Sequence, residues 1–124
     1  MIYDFTKLDV WKKAMDLAKD IHELTKKFPK EEKYGMTAQM RRASLSVAAN
    51  IAEGFGRYTA DDKRHKYVQA RGEIVEVMTF LHHAERIHYM SLAERDVLLL
   101  QASDVYKMLN ALISSMFRRA NKTP

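Results

Sequence analysis

Histidines, serines, glycines and a set of clustered cations are the residues of this chain with chemistry to offer. There are five histidines. Glu85-Arg-Ile-His88 has the Glu-x-x-His spacing of a carboxylate-bridged metal site, where one helical turn brings a carboxylate and an imidazole to the same face. Such a site needs the pair again on a second helix. No second Glu-x-x-His exists and the last predicted helix lacks histidine, so no metal is expected. A helical ribonuclease needs an arginine and a histidine lining one cleft. Arg57 and His65 straddle a predicted helix break, while Arg64-His65 and Arg86-Ile-His88 are too close together. Ser44, Ser46, Ser114 and Ser115 have no neighbouring histidine to activate them. Gly54-Phe-Gly56 has no strand before it, so it is not a phosphate-cradling loop. The chain has no cysteine, which removes thiolate nucleophiles, thiolate metal sites and disulfides. The expectation is a non-enzyme without cofactors.

The cations are the stronger signal. The formal net charge is +5 and it is unevenly spread. Arg41 to Arg71 holds seven Lys/Arg against three Asp/Glu, and Arg118, Arg119 and Lys122 close the chain without an acid among them. Residues 72–117 carry a net negative charge. Clustered cations attract phosphate-rich partners. The candidate nucleic-acid contacts are therefore Arg41, Arg42, Arg57, Lys63, Arg64, Lys66, Arg118, Arg119 and Lys122. Arg57 stands beside Tyr58, a pairing that suits phosphate contact with base stacking. A solvated helix start accounts for the run Lys63-Arg64-His65-Lys66 equally well. A second polar set, Asn50, Glu53, Arg71 and Glu76, reads as structural. Glu53 or Glu76 is expected to pair with Arg71, and Asn50 to bond to backbone or to Arg42.

Helices must position these groups. The chain has 124 residues, 47% of them hydrophobic, with two prolines and four glycines. That suits a single all-helical domain over residues 1–124. Val10, Ala14, Leu17, Ile21, Leu24 and Phe28 alternate steps of four and three, the seam of a helix running from Asp9 to Phe28 with Asp9 as N-cap. Pro29 ends it. Met36, Met40, Ala43, Val47, Ile51 and Phe55 mark a second helix from Met36 or Thr37 to Gly54 or Gly56. Its small residues allow close approach, and its glycines offer a left-handed stop. Tyr67, Ala70, Ile74, Val77, Leu81 and Ala84 mark a third, opened by Thr59-Ala-Asp-Asp62 and ending near His88 or Tyr89. Ser91-Leu-Ala-Glu94 is a capping box for a fourth, whose seam is Leu98, Ala102, Val105, Leu109, Leu112 and Met116. Short connections predict an antiparallel up-down-up-down four-helix bundle. Tyr67, Met78, Phe80, Leu99 and Leu100 exceed what one small core needs and suggest a homo-oligomer. No apolar run is long enough to span a membrane and no signal peptide is visible, so a cytoplasmic location is expected.

Three stretches carry a resemblance: Leu8-Asp-Val10-Trp11, Phe28-Pro-Lys-Glu31-Glu32-Lys-Tyr34-Gly35-Met36, and the run from Arg41 to Gly54, RRASLSVAANIAEG. With Ala70-Arg71-Gly72 and Glu76 they resemble the 23S rRNA intervening-sequence proteins over nearly the whole chain. The family is named for genes lying inside insertions in large-subunit ribosomal RNA, and its molecular role is not established. The resemblance implies an antiparallel bundle assembling as a ring-like homopentamer. A related branch looks like the accessory variability protein of diversity-generating retroelements, which works with a reverse transcriptase. RNA or ribonucleoprotein binding is thus the leading expectation, and a protein-binding scaffold without direct RNA contact the alternative. Two positions depart from the family pattern. A proline is Ala48 here, so no proline kink is expected in the second helix. A glycine before the end of the third helix is His88, so that turn is expected to differ.

Overall fold

Leu8, not Asp9, precedes the first long helix. The computed structural model describes residues 4–121 and places α1 at Asp9–Thr25, α2 at Met36–Gly56, α3 at Ala60–Arg86 and α4 at Leu92–Ala120, with 3-10 turns at Phe5–Lys7 and Lys30–Glu32. Leu8 is the N-cap of α1 and supplies no side-chain bond. The carboxylate that caps is Asp4, which accepts from the Thr6 backbone N–H of the preceding turn. Asp9 sits instead in the first turn, where its charge favours the helix dipole. The end of α1 also differs from expectation. Thr25 is buried and donates its hydroxyl to the Ile21 carbonyl, after which 26–28 continue as a turn. Phe28 still reaches the core and packs on Tyr89, ring centroids 5.2 Å apart.

The four helices form a four-helix bundle, with no strand among the described residues. Helices α1 and α3 each pack against both α2 and α4, and neither α1 with α3 nor α2 with α4 comes into close backbone contact. The core follows the periodicity. Val10, Ala14, Leu17 and Ile21 are buried on α1, and Met40, Ala43, Val47 and Ile51 on α2. On α3 the whole stripe from Tyr67 to Ala84 is buried, and on α4 Leu98, Ala102, Val105, Leu109 and Met116. Tyr67 is therefore core rather than surplus. Met78, Phe80 and Leu99 are half-buried against that core, and only Leu100 of the suspected surplus is well exposed. Among the described residues no helix is long and apolar enough to cross a membrane.

Two turns repay attention because their glycine logic is inverted. No glycine has positive φ, and α2 runs without interruption through Ala48 to Gly56. Gly54 is there for space: a Cβ would stand 2.6 Å from Tyr67 Cε1. The residue with left-handed geometry is His88, at φ 66°. There the Tyr89 N–H donates to the Ala84 carbonyl and the His88 N–H to the Glu85 carbonyl. That pair of bonds is a Schellman ending, and it needs a left-handed residue one past the C-cap Ile87. The conformation costs a non-glycine residue about 1–2 kcal/mol. Part of this gain is lost because glycine frees the unfolded chain. His88→Gly is expected to raise Tm by about 2–5 °C in thermal circular dichroism.

The opposite end of α3 and the start of α4 are capped as their sequences imply. Thr59 accepts from the Asp62 N–H. Ser91 and Glu94 exchange both bonds of a capping box, and Glu94 also holds Lys27 at 2.5 Å. Glu32 explains part of the loop motif before α2. Its carboxylate accepts the Tyr89 hydroxyl at 2.9 Å and faces the Met36 N–H at the start of α2.

Candidate nucleic-acid interface

Six of the nine candidate cations meet at one end of the bundle. The last turn of α2, the first two turns of α3 and the last turns of α4 come together there. The contacts that show it are Gly54 against Tyr67 and the Arg64 guanidinium over the Phe117 ring, 5.7 Å from its centroid. Arg57 leaves α2, Lys63, Arg64 and Lys66 open α3, and Arg118 and Arg119 close α4. Arg41 and Arg42 do not join them. Arg57 follows Arg42 by fifteen positions along α2 to its C-cap, about 22 Å along the axis. Lys122 lies outside the described residues.

The cations differ in what they already do. Arg41 binds α1: its Nε donates to Thr25 Oγ1 at 2.9 Å and its Nη2 to the His22 carbonyl at 3.1 Å. Arg42 faces the other way, to α3, with Nη2 2.9 Å from Glu76 and Nη1 3.6 Å from Glu73. The paired arginines are a clasp from α2 to both its neighbours. Lys63 donates to the Phe55 carbonyl at 2.6 Å and closes the C-terminus of α2, where a cation complements the dipole. Burial, then the charge of Arg119, pushes its pKa down. Lys66 pairs with Glu53 at 2.9 Å, and that hydrogen bond holds the Glu53 carboxyl below its ordinary range. Arg64 reaches Asp61 at 3.5 Å, and its Nε is buried with no protein partner among the described residues. Among the described residues Arg119 has only the Met116 sulfur, at 3.3 Å. Arg57 and Arg118 are exposed and make no side-chain hydrogen bond or ion pair among the described residues.

The second polar set does not form the network expected of it. Arg71 donates to Asn110 on α4 at 2.9 Å rather than to a glutamate. Glu53 and Glu76 are taken by Lys66 and Arg42, each pair joining α2 to α3 across their seam. Asn50 bonds back to the Ser46 carbonyl of its own helix, one of the outcomes the sequence left open.

Glu73 is the group sequence reasoning missed. One of its carboxylate oxygens is buried without a partner among the described residues, and Arg42 is nearer to Glu76 than to Glu73. Burial first, then Glu76 beside it, pushes its pKa above the ordinary 4.5, with Arg42 pulling partly back. The folded state thus binds this proton more tightly than the unfolded chain. Its contribution to stability falls as pH rises from 4.5 through the raised value. Glu73→Gln is expected to melt higher than wild type at pH 7, with the gap closing as the buffer is taken to pH 4. Thermal melts across pH check both halves.

Phe117 is the other missed residue. It lies beside the α4 seam rather than on it, is 53% exposed, and carries Arg64 on its face. Its position one off Met116 was the available signal.

The family model described as 23S rRNA-intervening sequence protein matches residues 6–111. The chain belongs to that family. A crystal structure of a protein of unknown function from the S23 ribosomal protein family of Bacteroides thetaiotaomicron superposes with a TM-score of 0.76 at 21% identity, covering 84% of this chain and 97% of that one. No curated protein matches. For this 23S rRNA-intervening sequence protein, the likeness to the Bacteroides protein is one of fold.

Proposed function

We propose that this chain is a non-enzymatic, cytoplasmic RNA-binding protein that takes phosphates at the end of the bundle carrying Arg57, Arg64, Arg118 and Arg119. The carrying observation is the division of labour among the cations. Arg41, Arg42, Lys63 and Lys66 are spent on holding helices together, whereas Arg57 and Arg118 point into solvent with no internal partner among the described residues. The helices are read as running up-down-up-down. Contact of Lys27, in the turn just after α1, with Glu94 at the start of α4 supports this, as does Arg64 at the start of α3 over Phe117 near the end of α4. Several such bundles, in a ring-like homopentamer, would multiply the cationic ends on one assembly. Because phosphates carry the contact, sequence preference is weak.

The test is a salt titration of a labelled RNA oligonucleotide by fluorescence anisotropy. About four phosphate contacts on a single strand give a slope of log K against log salt near −3. Affinity then falls on the order of 50-fold from 50 to 200 mM salt. Absence of binding at 50 mM overturns the reading.

A specific surface favours a second reading, a protein-binding scaffold such as an accessory to a reverse transcriptase. Leu24 and Leu98 floor a groove of about 550 Å³ between α1 and α4, edged by Val97 at 60% exposure. Leu100 lies nearby on α4, 67% exposed. Native mass spectrometry separates the occupants: a second copy of the chain there shows as an oligomer.

A further inference from the structure

We infer that the strand held at the cationic end is single-stranded, with bases stacked on Tyr58 and Phe117. This rests on the RNA reading above and specifies its ligand. Tyr58 is 94% exposed in the three-residue connection between α2 and α3, directly after Arg57. Phe117 is 53% exposed on α4, directly before Arg118. Two aromatic rings thus stand in water at one end of the molecule, each next in sequence to a cation without an internal partner among the described residues. The core does not need either ring. Phe117 is displaced from the buried line that ends at Met116, and Tyr58 lies outside every helix.

Electrostatics alone would call for cations and no rings. A paired RNA helix has its bases stacked on one another and a major groove too deep and narrow for side chains to read, so it gives aromatic side chains nothing to hold. A single strand offers both things present here. Its phosphates meet arginine, and its unstacked bases lie on exposed rings regardless of sequence. Arg64 adds a planar cation already parked against Phe117, with its Nε unpartnered among the described residues. A base entering there can stack on the open side of the ring while the guanidinium keeps the other. The acids at this end do not close it. Asp61 is engaged by Arg64 and Glu53 by Lys66, and Asp62 remains as the opposing charge at the start of α3.

The experiment compares a uridine oligomer, which does not pair, with an RNA duplex of equal phosphate count, using the full chain at fixed low salt. Three variants accompany wild type: Tyr58→Ala, Phe117→Ala and Phe117→Leu. Single strand is expected to bind at least tenfold more tightly than duplex. Each alanine variant is expected to weaken single-strand binding about tenfold, with duplex binding and salt slope unchanged. Phe117→Leu keeps an apolar surface without a ring and is expected to fall with Phe117→Ala. Melting temperature and native mass are read on each variant. Equal affinity for both RNAs with variants matching wild type overturns stacking and leaves the phosphate reading intact. A change in oligomer mass at Phe117→Ala makes that ring a contact between copies and overturns stacking there. No binding of either RNA removes the reading beneath it.

Discussion

Gly54→Ala is expected to lower the melting temperature by about 8 °C, although alanine is the better helix former. The propensity gain is real, at most about 1 kcal/mol for a helical glycine. It is overridden because the new methyl lands 2.6 Å from Tyr67 Cε1, 2.9 Å from Cδ1 and 3.1 Å from Lys66 Cβ. Tyr67 cannot swing aside, since it is only 3% exposed. The start of α3 must therefore move off α2. Overpacking of this kind costs about 1–3 kcal/mol and occasionally more; a methyl this close to a fixed ring belongs at the upper figure, and with the propensity offset the net loss is about 2 kcal/mol. For a chain of this length that is roughly 8 °C. Gly72→Ala is the matched control. It too is helical, in the middle of α3, yet nothing among the described residues lies within 4 Å of its Cβ position, so it is expected to hold or raise Tm. Pairing Gly54→Ala with Tyr67→Leu should recover part of the loss, a coupling that a double-mutant cycle measures. If Gly54→Ala melts like Gly72→Ala, the close approach of Tyr67 does not set the α2–α3 spacing.

Gly54 also marks the boundary of what the sequence makes legible. Apolar periodicity locates helices because burial acts on every turn. The seams of α1, α3 and α4 and the middle of α2 were readable for that reason, as was the Ser91–Glu94 box, where two residue types satisfy each other's backbone. The glycines near 54 and 56 looked like a left-handed stop, because a glycine after an apolar line most often ends a helix. Nothing local in the sequence says that a tyrosine thirteen residues on requires the space. His88 is the converse: a left-handed position filled by a residue whose type does not announce it.

The candidate site was half legible for a related reason. Charge clustering named Lys63, Arg64, Lys66, Arg118 and Arg119 as candidates, but only the fold places the two segments at one end of the bundle. Clustering could not distinguish free cations from occupied ones. Long side chains choose partners by reach across a seam, so Glu76 went to Arg42 and Arg71 to Asn110. Adjacent arginines on a helix point about 100° apart. Arg41 and Arg42 therefore serve different neighbours, α1 and α3, and neither belongs to a common patch with Arg57.

That distinction decides which charge reversals can be interpreted. The double variant Arg57→Glu, Arg118→Glu is expected to weaken RNA binding at low salt by about 100-fold or more. Two phosphate contacts are lost, which alone flattens the salt slope by about 1.4 for a single strand, and two new anions repel the backbone. Both side chains are exposed, so folding should change little. Arg118 lies in the last turn of α4, where replacing a cation by an anion works against the dipole and costs about 1 kcal/mol at most. Arg41→Glu is the contrasting variant. It removes the bonds to Thr25 and the His22 carbonyl and sets a carboxylate against that carbonyl. Its expected signature is a loss of stability of about 2 kcal/mol, with RNA affinity reduced only as far as the folded fraction falls. Melting curves and anisotropy on the same samples separate the two cases. If Arg57→Glu, Arg118→Glu binds RNA as wild type does while Arg41→Glu abolishes binding in a protein that remains folded, the contact lies on the α1–α2 face and not at the cationic end.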